Sequence, residues 1–148
     1  MKKIVVVLVA AASLIACKSS DKKTTGPVLS QEERNKAVTD TANFTSIQWL
    51  DSTYKNLGKI KEGQVIEVTF RFKNSGSKNL IFSTVSASCG CTVPEKPEKP
   101  YAPGEEGMIK AKFDSQGKPH GEVRKEIFAN ANTNPGQHTL TFGVEITD

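Results

Sequence analysis

The sequence has few of the residues from which enzyme and metal sites are usually built. Its 148 residues include three cysteines and two histidines, and two histidines are few for acid–base catalysis. There is no Gly-x-Ser-x-Gly motif of a nucleophilic serine and no glycine-rich loop that would hold a phosphate. Lysines and arginines number 20 against 16 aspartates and glutamates, and this near balance argues against a nucleic-acid partner. We therefore predict that the protein is not an enzyme and does not bind nucleic acid.

The sequence also lacks a hydrophobic run long enough to cross a membrane. The longest, from Ile4 to Ile15, has 12 residues, whereas a transmembrane helix needs about 20. It follows a basic start and ends in Leu14-Ile15-Ala16-Cys17, which resembles the lipobox of bacterial lipoproteins. The resemblance implies a signal peptide over residues 1–16 and acylation of Cys17, for example with palmitate, which anchors the protein in a membrane of the cell envelope. The alternative is an ordinary secretory signal that leaves the thiol of Cys17 free.

Residues 17–42 are predicted to form a flexible linker between the lipid and a folded domain. The segment from Lys18 to Pro27 has almost no apolar content, which favours disorder. Ser30-Gln31-Glu32-Glu33 has the form of a capping box and indicates a short helix from Gln31 to about Val38, which is marginal when isolated. By analogy with lipoprotein sorting in other Gram-negative bacteria, the lysine after the lipobox cysteine favours the outer membrane.

Two short patterns resemble the O-glycosylation sites of Bacteroidetes envelope proteins. They are Asp40-Thr41-Ala42 and Asp51-Ser52-Thr53, with Thr41 and Ser52 as the acceptor residues. Three-residue patterns arise readily by chance, so these two residues are candidate modification sites and carry no functional argument of their own.

Residues 43–148 are predicted to form one all-β domain. The clearest strand runs from Gln64 to Lys73, where Ile66, Val68 and two phenylalanines alternate with polar residues, as in a strand with one buried face. About seven such strands, separated by turn signals and without a convincing helix, predict an immunoglobulin-like antiparallel β-sandwich. In this scheme residues 56–63 form a turn, and the evenly apolar run of residues 80–85 forms a central strand.

Cys89 and Cys91 are the two cysteines that remain if the lipobox cysteine is acylated. One interpretation is a local disulfide, for which Gly90 would supply the bend. Such a bridge closes a very small loop, so it stabilises little and is easily reduced, which suits a redox role. A second interpretation is a soft metal site for copper, or half of a zinc site, with His120 and His138 as the remaining candidate ligands. The third is a pair of cysteines that are reduced or purely structural.

Several motifs of the sequence occur together in one known family. They are Phe72-Lys73-Asn74-Ser75-Gly76, Leu80-Ile81, Ser88-Cys89-Gly90-Cys91-Thr92, Pro103-Gly104, Phe113-Asp114 and Gly117-Lys118. Over about residues 55–146 the sequence resembles the bacterial domain-of-unknown-function family 1573, which is widespread in Bacteroidetes lipoproteins. The resemblance implies an immunoglobulin-like sandwich related to sperm-protein, cilium and chaperone-type domains, without an established activity. The segment from Glu95 to Tyr101, rich in proline and lysine, departs from the family pattern.

Two hypotheses about function follow. The first is a non-catalytic binding or assembly module, held at the membrane by its lipid, in which a sheet edge pairs with an extended segment of an unknown envelope protein. The second is an envelope metal-handling or thiol-redox protein that uses Cys89 and Cys91. No cofactor is predicted, apart from copper or zinc under the second hypothesis.

Overall fold

The computed structural model describes residues 27–148. The predicted signal peptide, Cys17 and residues 18–26 of the predicted linker lie outside the described residues. The elements of the described part are α1 (Gln31–Thr39), β1 (Ile47–Trp49), β2 (Tyr54–Lys61), β3 (Val65–Asn74), β4 (Phe82–Ala87), β5 (Thr92–Glu95), β6 (Glu106–Asp114), β7 (Gly121–Ala131) and β8 (Gln137–Thr147). Within this range no helix is long and apolar enough to span a bilayer.

The strands form two four-stranded sheets whose inner faces share one core. One sheet has the order β1-β3-β6-β5 and the other the order β2-β8-β7-β4. Neighbouring strands are antiparallel, except that β2 and β8 run parallel. This architecture confirms the predicted immunoglobulin-like sandwich, with eight strands in the described range instead of about seven.

Strand β2 lies where the sequence predicted a turn. Its register with β8 shifts between Asn56 and Lys59, and Gly58 within this β-bulge has a φ of +76°, a conformation that glycine adopts without strain. The amide of Gly58 donates to Oδ1 of Asn56 at 2.9 Å. Because the bulge interrupts the two-residue alternation, the sequence of β2 does not show the period of a strand. Ile60 is nevertheless buried in the core, and Leu57 packs partly against it.

The core is built from the alternating apolar residues of the long strands. The fully or almost fully buried side chains of β3 and β8 are Val68, Phe70, Phe72, Leu140, Phe142, Val144 and Ile146. The burial of these residues confirms the predicted alternation in β3, and β8 has the same alternation. At one end of the core Phe72 packs edge-to-face against Trp49, Phe82 and Tyr101, with ring centroids 5.8, 5.1 and 4.9 Å away, a favourable geometry for aromatic pairs.

Gly107 on β6 leaves the space that these aromatic rings fill. A Cβ atom at this position would lie 2.6 Å from Cζ of Tyr101 and 2.7 Å from Cζ of Phe72, which is well inside van der Waals contact. Its φ lies outside the left-handed region, so packing and not backbone conformation requires the glycine.

Asn74, in the middle of the motif from Phe72 to Gly76, has a structural role. Its side chain is fully buried. Nδ2 donates to the carbonyl oxygens of Lys78 and Tyr101 at 2.7 and 2.8 Å. Oδ1 accepts from the amide of Gly76 at 3.1 Å and from the hydroxyl of Thr45 at 2.9 Å. The motif therefore fixes the turn after β3 and holds it against its neighbours.

Asp51 lies where the chain crosses from β1 in one sheet to β2 in the other. Its Oδ1 accepts from Nε and Nη2 of Arg71 at 3.0 and 2.7 Å, and its Oδ2 accepts from the amide of Arg71 and from Nζ of Lys55, both at 3.0 Å. The side-chain hydrogen bonds from Arg71, followed by its amide and by Lys55, hold the pKa of Asp51 well below its usual range. Since Arg71 belongs to β3 and Lys55 to β2, the carboxylate joins the two sheets.

Two sequence-based interpretations need correction. The third predicted strand, residues 80–85, is observed as β4 (Phe82–Ala87), and it is an edge strand and not a central one. Its apolar residues cluster at its start because Leu80 and Phe82 point into the core. The predicted helix is present with its capping box, in which Ser30 and Glu33 bond reciprocally. It is not part of a free linker, however, because it packs against β4 and the domain begins before residue 43.

Candidate functional site

The strand most exposed to pairing with another chain is β4. We call its side that faces away from β7 the β4 edge. Charged residues, proline, bulges and short length discourage pairing at sheet edges, and three edge strands of the sandwich show such features: β1 has three residues, β2 has three lysines and a bulge, and β5 contains Pro94. The pairing of β4 with β7 has a register shift of its own between Phe82 and Thr84, but the six residues of β4 include neither a charge nor a proline. The second half of the β4 edge, Thr84–Ala87, is therefore the least protected part of the four edges.

The direction of the β4 amides follows from its pairing with β7. The amide of Ser88, just after the strand, donates to the carbonyl oxygen of Glu126 on β7 at 2.9 Å. Because amides in an antiparallel pair alternate between the two sides of a strand, those of Val85 and Ala87 point away from β7. The side chains of Thr84 and Ser86 are exposed on the outer face of the sheet. The second half of β4 thus offers free backbone donors beside uncharged side chains.

Helix α1 covers the first half of the β4 edge. Nε2 of Gln31 donates to the carbonyl oxygen of Ser83 at 3.0 Å, and Nη1 of Arg34 donates to that of Phe82 at 3.1 Å. These two side chains therefore occupy backbone acceptors that a neighbouring strand would otherwise use.

Arg34 is the residue that fastens this helix. It is 1% exposed, and it also donates to the carbonyl oxygens of Leu29 and Pro97, both at 3.1 Å, and to that of Glu98. The Glu98 carboxylate lies 3.8 Å away, but its side chain is 65% exposed, so backbone carbonyls and not an ion pair satisfy most of the buried guanidinium. Nothing in the sequence distinguishes Arg34 from the other charged residues of α1, and sequence reasoning missed it.

A turn formed by Cys89–Thr92, here called the cysteine turn, lies at the other end of the β4 edge. The amide of Thr92 donates to the carbonyl oxygen of Cys89 at 3.2 Å. The sulfurs of Cys89 and Cys91 are bonded at 2.02 Å, with Cα atoms 5.3 Å apart. Of the three interpretations that the sequence left open, the structure contains the local disulfide. Since β4 and β5 belong to different sheets, the cysteine turn also connects the two sheets.

Gly90 differs from the sequence-based expectation. Its φ lies outside the left-handed region, and a Cβ atom added there would meet no atom within 4 Å. The cysteine turn therefore does not depend on the conformational freedom of a glycine at this position.

The disulfide lies in a shallow surface cleft. The cleft is lined by residues 89–91 together with Asp114, Gln116 and Lys118. Behind it, Thr92 is 3% exposed, and its Oγ1 lies 3.7 Å from Sγ of Cys89. Cys91 packs partly against the core. The two sulfurs thus have different surroundings, which C-x-C spacing alone did not indicate.

The two histidines, which the sequence offered as metal ligands, are engaged elsewhere. Nδ1 of His138 accepts from Nε1 of Trp49 at 3.5 Å, and its Nε2 lies 2.8 Å from Oγ1 of Thr133. The hydroxyl of Thr133 donates to the carbonyl oxygen of Pro135 at 2.7 Å, so Nε2 of His138 carries the hydrogen. Burial lowers the pKa of His138, which keeps this ring neutral.

His120 lies on the surface between two carboxylates. Its Nε2 is 3.1 Å from Oε2 of Glu62 and its Nδ1 is 3.1 Å from Oδ1 of Asp148. Neither histidine lines the cleft at the cysteine turn. Among residues 27–148 no three His, Cys, Asp or Glu side chains are grouped so that they could hold a metal ion. The residues around Cys89 and Cys91 therefore do not fit a closed zinc site.

The two candidate glycosylation residues are both exposed. Thr41 lies in a short 3₁₀ turn, Thr41–Asn43, whose preceding Asp40 accepts a hydrogen bond from the amide of Ala42. Ser52 accepts a hydrogen bond from the amide of Tyr54 at 3.2 Å. Both hydroxyls are in accessible segments, and their modification stays a prediction.

A family model described as a protein of unknown function (DUF1573) matches residues 47–146. This range contains the β4 edge, the cysteine turn and both sheets apart from Thr147, the last residue of β8. Among curated protein sequences there is no match.

Several solved structures share the fold. A protein of unknown function from Porphyromonas gingivalis W83 has a TM-score of 0.61 at 16% identity, and the alignment covers 72% of this chain and 49% of that one. The PapD-like domain 7 of human CEP192 has a TM-score of 0.52 at 10% identity, with 92% and 97% covered. The secreted serine protease VesC from Vibrio cholerae has a TM-score of 0.51 at 11% identity, with 77% and 25% covered. At these identities the similarity establishes the fold alone, and the match takes in about half of the Porphyromonas chain.

Proposed function

The chain belongs to the DUF1573 family, whose function is unknown, and we propose that it is an envelope lipoprotein whose sandwich binds a protein partner without catalysing a reaction. The partner would supply an extended, mainly uncharged segment that adds a strand to the β4 edge. In this mode main-chain hydrogen bonds provide the affinity and the side chains of the added segment provide the specificity.

The uncovered second half of the β4 edge is the observation that carries this proposal. Its strand has no charge and no proline, whereas such an edge is a hazard that proteins usually remove. An exposed uncharged edge is therefore explained most simply by a partner that covers it. The PapD-like architecture shared with the CEP192 domain is compatible with this role and does not identify a partner.

The engagement of the histidines supports the non-catalytic part of the proposal. Within the described residues His138 is held by Trp49 and Thr133, and His120 is paired with Glu62 and Asp148. A general base must reach the proton that it removes, and neither ring is free to do so next to the β4 edge or the cysteine turn.

The membrane part of the proposal depends on Cys17 and on residues 1–16. Cleavage after Ala16 and acylation of Cys17 would leave residues 18–28 between the lipid and the folded domain. We expect metabolic labelling with palmitate to mark the wild-type protein, and Cys17→Ser to lose both the label and membrane association. Fractionation of the envelope would test the proposed outer-membrane location, and an unlabelled wild-type protein would contradict the anchor.

The strand-pairing part can be tested by site-specific crosslinking in the native host. A photo-crosslinking residue placed at Ser86 reports on the β4 edge, and the same residue placed at Lys59 on β2 serves as the control. We expect one discrete adduct from position 86 and none from position 59. Mass spectrometry of the adduct should identify one short segment of one partner protein.

Ala87→Pro provides the matched test of mechanism. It removes an amide that points away from β7 and leaves the bonds between β4 and β7 in place, and proline is tolerated on edge strands. We expect this variant to fold, as judged by its thermal unfolding, and to lose the adduct at position 86. An adduct that survives in folded Ala87→Pro protein would contradict strand addition, as would equal crosslinking from positions 86 and 59.

A second candidate function is metal handling or thiol redox chemistry at Cys89 and Cys91. The bond between the two sulfurs favours the redox form, because a metal would need both as thiolates. Copper or zinc bound to protein purified without chelator, measured by elemental analysis, would support metal handling. A bridge that neither glutathione nor a protein dithiol opens in the folded protein would remove the redox form.

A further inference from the structure

We infer that the Cys89–Cys91 disulfide exchanges with an exported dithiol protein, and that the Thr92 hydroxyl stabilises Cys89 as the leaving thiolate. This inference rests on the redox form of the second candidate function and goes beyond it, since it assigns the attacked sulfur, the leaving sulfur and a positioning residue. The partner class is a protein with two neighbouring thiols, such as a Cys-x-x-Cys site.

Access is the first requirement, and the cleft provides it. The bridge lies at the surface of the sandwich, and residues 89–91 line the cleft directly. Lys118, also in the lining, places a positive charge where an attacking thiolate approaches, although Asp114 on the same rim reduces its effect. Both cysteines are half-buried and Gly90 between them is exposed, and disulfides that solvent reaches are among those that exchange readily.

The surroundings of the two sulfurs decide which one leaves. Oγ1 of Thr92 is 3.7 Å from Sγ of Cys89, and Thr92 is almost fully buried. A bridged sulfur is a weak hydrogen-bond acceptor, whereas a thiolate is a strong one, because hydrogen bonds to ionised groups are stronger than neutral ones. The buried hydroxyl is therefore placed to donate to Cys89 once the bridge opens, and this hydrogen bond stabilises the thiolate form of Cys89.

The exchange then proceeds in two balanced steps. A thiolate of the partner attacks Sγ of Cys91, the Cys89–Cys91 bond breaks, and its electron pair goes to Sγ of Cys89. This gives a mixed disulfide on Cys91 and a thiolate on Cys89. The second thiol of the partner then attacks its own bridged sulfur and releases Cys91. The partner loses two electrons and becomes a disulfide. The proton of its second thiol ends on one of the two cysteines, and the proton that its first thiol gave to solvent returns to the other.

The attack is directed at Cys91 because of the leaving group. A thiol with a lower pKa leaves faster in thiol–disulfide exchange, and the nearby hydroxyl favours Cys89 in that role. Since the cysteine turn joins the end of β4 to β5, exchange and strand pairing would take place at the same corner of the sandwich.

The experiment uses the oxidised full-length chain and thioredoxin as the probe dithiol. We measure the rate of bridge opening by alkylation and mass spectrometry for the wild type, Thr92→Val and Thr92→Ser. We expect Thr92→Val, which keeps the shape of the side chain, to slow opening about fivefold, and Thr92→Ser, which keeps the hydroxyl, to restore most of the rate. Thioredoxin that lacks its second cysteine should be trapped on Cys91 of the wild type.

A pH profile separates a chemical role of Thr92 from a packing role. In the reduced protein, the alkylation rate of Cys89 increases with pH as the thiolate forms. We expect this increase to begin at a lower pH in the wild type and in Thr92→Ser than in Thr92→Val, because the hydroxyl stabilises the thiolate. Equal rates and equal pH profiles in folded Thr92→Val and wild type would overturn the role of Thr92, while the exchange itself would stand. No opening by thioredoxin in any variant would overturn the exchange and the redox function with it. Trapping on Cys89 would overturn the assigned direction of attack.

Discussion

Replacing Arg34 by alanine should release helix α1 from the β4 edge. The guanidinium donates to the carbonyl oxygens of Phe82, Pro97 and Glu98 on the sandwich, and each hydrogen bond to a charged group contributes about 1.5–3 kcal/mol. The sum of the three, about 4.5–9 kcal/mol, is an upper bound, because a detached helix lets water reach the carbonyls. The cost of burying a cation reduces the net value further.

Besides Arg34, Gln31 holds the helix, because its Nε2 donates to the carbonyl oxygen of Ser83 and its Oε1 accepts from Nζ of Lys96. Only Arg34 and Ala37 of α1 are buried, so apolar burial adds little to the docking energy. We expect Arg34→Ala to lower the free energy of opening the helix by about 2 kcal/mol, which corresponds to a roughly 30-fold faster amide exchange. The free energy of global unfolding should change less, because the two sheets stay intact.

Hydrogen exchange followed by mass spectrometry measures this effect segment by segment. Peptides that cover α1 and the start of β4 should lose protection in Arg34→Ala, while peptides from β3 and β8 should not. Lys36→Ala is the matched control, since Lys36 lies in the same helix and is exposed. Arg34→Lys should be intermediate, because lysine keeps the charge but cannot bridge several acceptors. Equal exchange in Arg34→Ala and Lys36→Ala would refute this account of the docking.

Three further predictions concern stability. Gly107→Ala should lower the free energy of urea unfolding by about 1–3 kcal/mol through overpacking, while Gly90→Ala, which meets no atom within 4 Å, should leave it unchanged; equal values would contradict the packing argument. Asp51→Asn should lower the free energy of unfolding at neutral pH. It should also make the loss of stability in acid less steep, because the depressed pKa of Asp51 contributes stability that is complete above about pH 4 and is lost as the pH falls further. Because burial lowers the pKa of His138, the melting temperature of the wild type should fall as the pH drops below about 6.5, and that of His138→Gln should fall less. Melting temperatures that change in parallel with pH in the two proteins would contradict this.

The class of fold could be predicted because the long strands keep one apolar face. In β3 and β8 every second residue is buried, and this period is local information that the chain carries by itself. Strand β2 was not predicted, because the bulge at Gly58 interrupts this alternation. Strand β4 was taken for a central strand because its start is apolar, but the position of a strand within a sheet depends on which strands pair with it.

The contacts of the candidate site could be predicted only in part. The C-x-C spacing pointed to the cysteine turn, since two cysteines so close allow few arrangements. The role of Arg34 could not be foreseen, because its acceptors on Phe82, Pro97 and Glu98 lie 48–64 residues away along the chain. The contact between Cys89 and Thr92 was equally hidden, since it depends on how the turn folds back on itself.

The pairing register of the partner on the β4 edge tests the central proposal most directly. Photo-crosslinking residues placed separately at Thr84 and Ser86 lie on the same face of β4, two residues apart. If the partner adds a strand, the two positions should crosslink to residues of one partner segment that are themselves two apart, because side chains repeat every second residue in paired strands. Crosslinks that scatter over unrelated parts of the partner, or no crosslink from either position, would contradict the proposal.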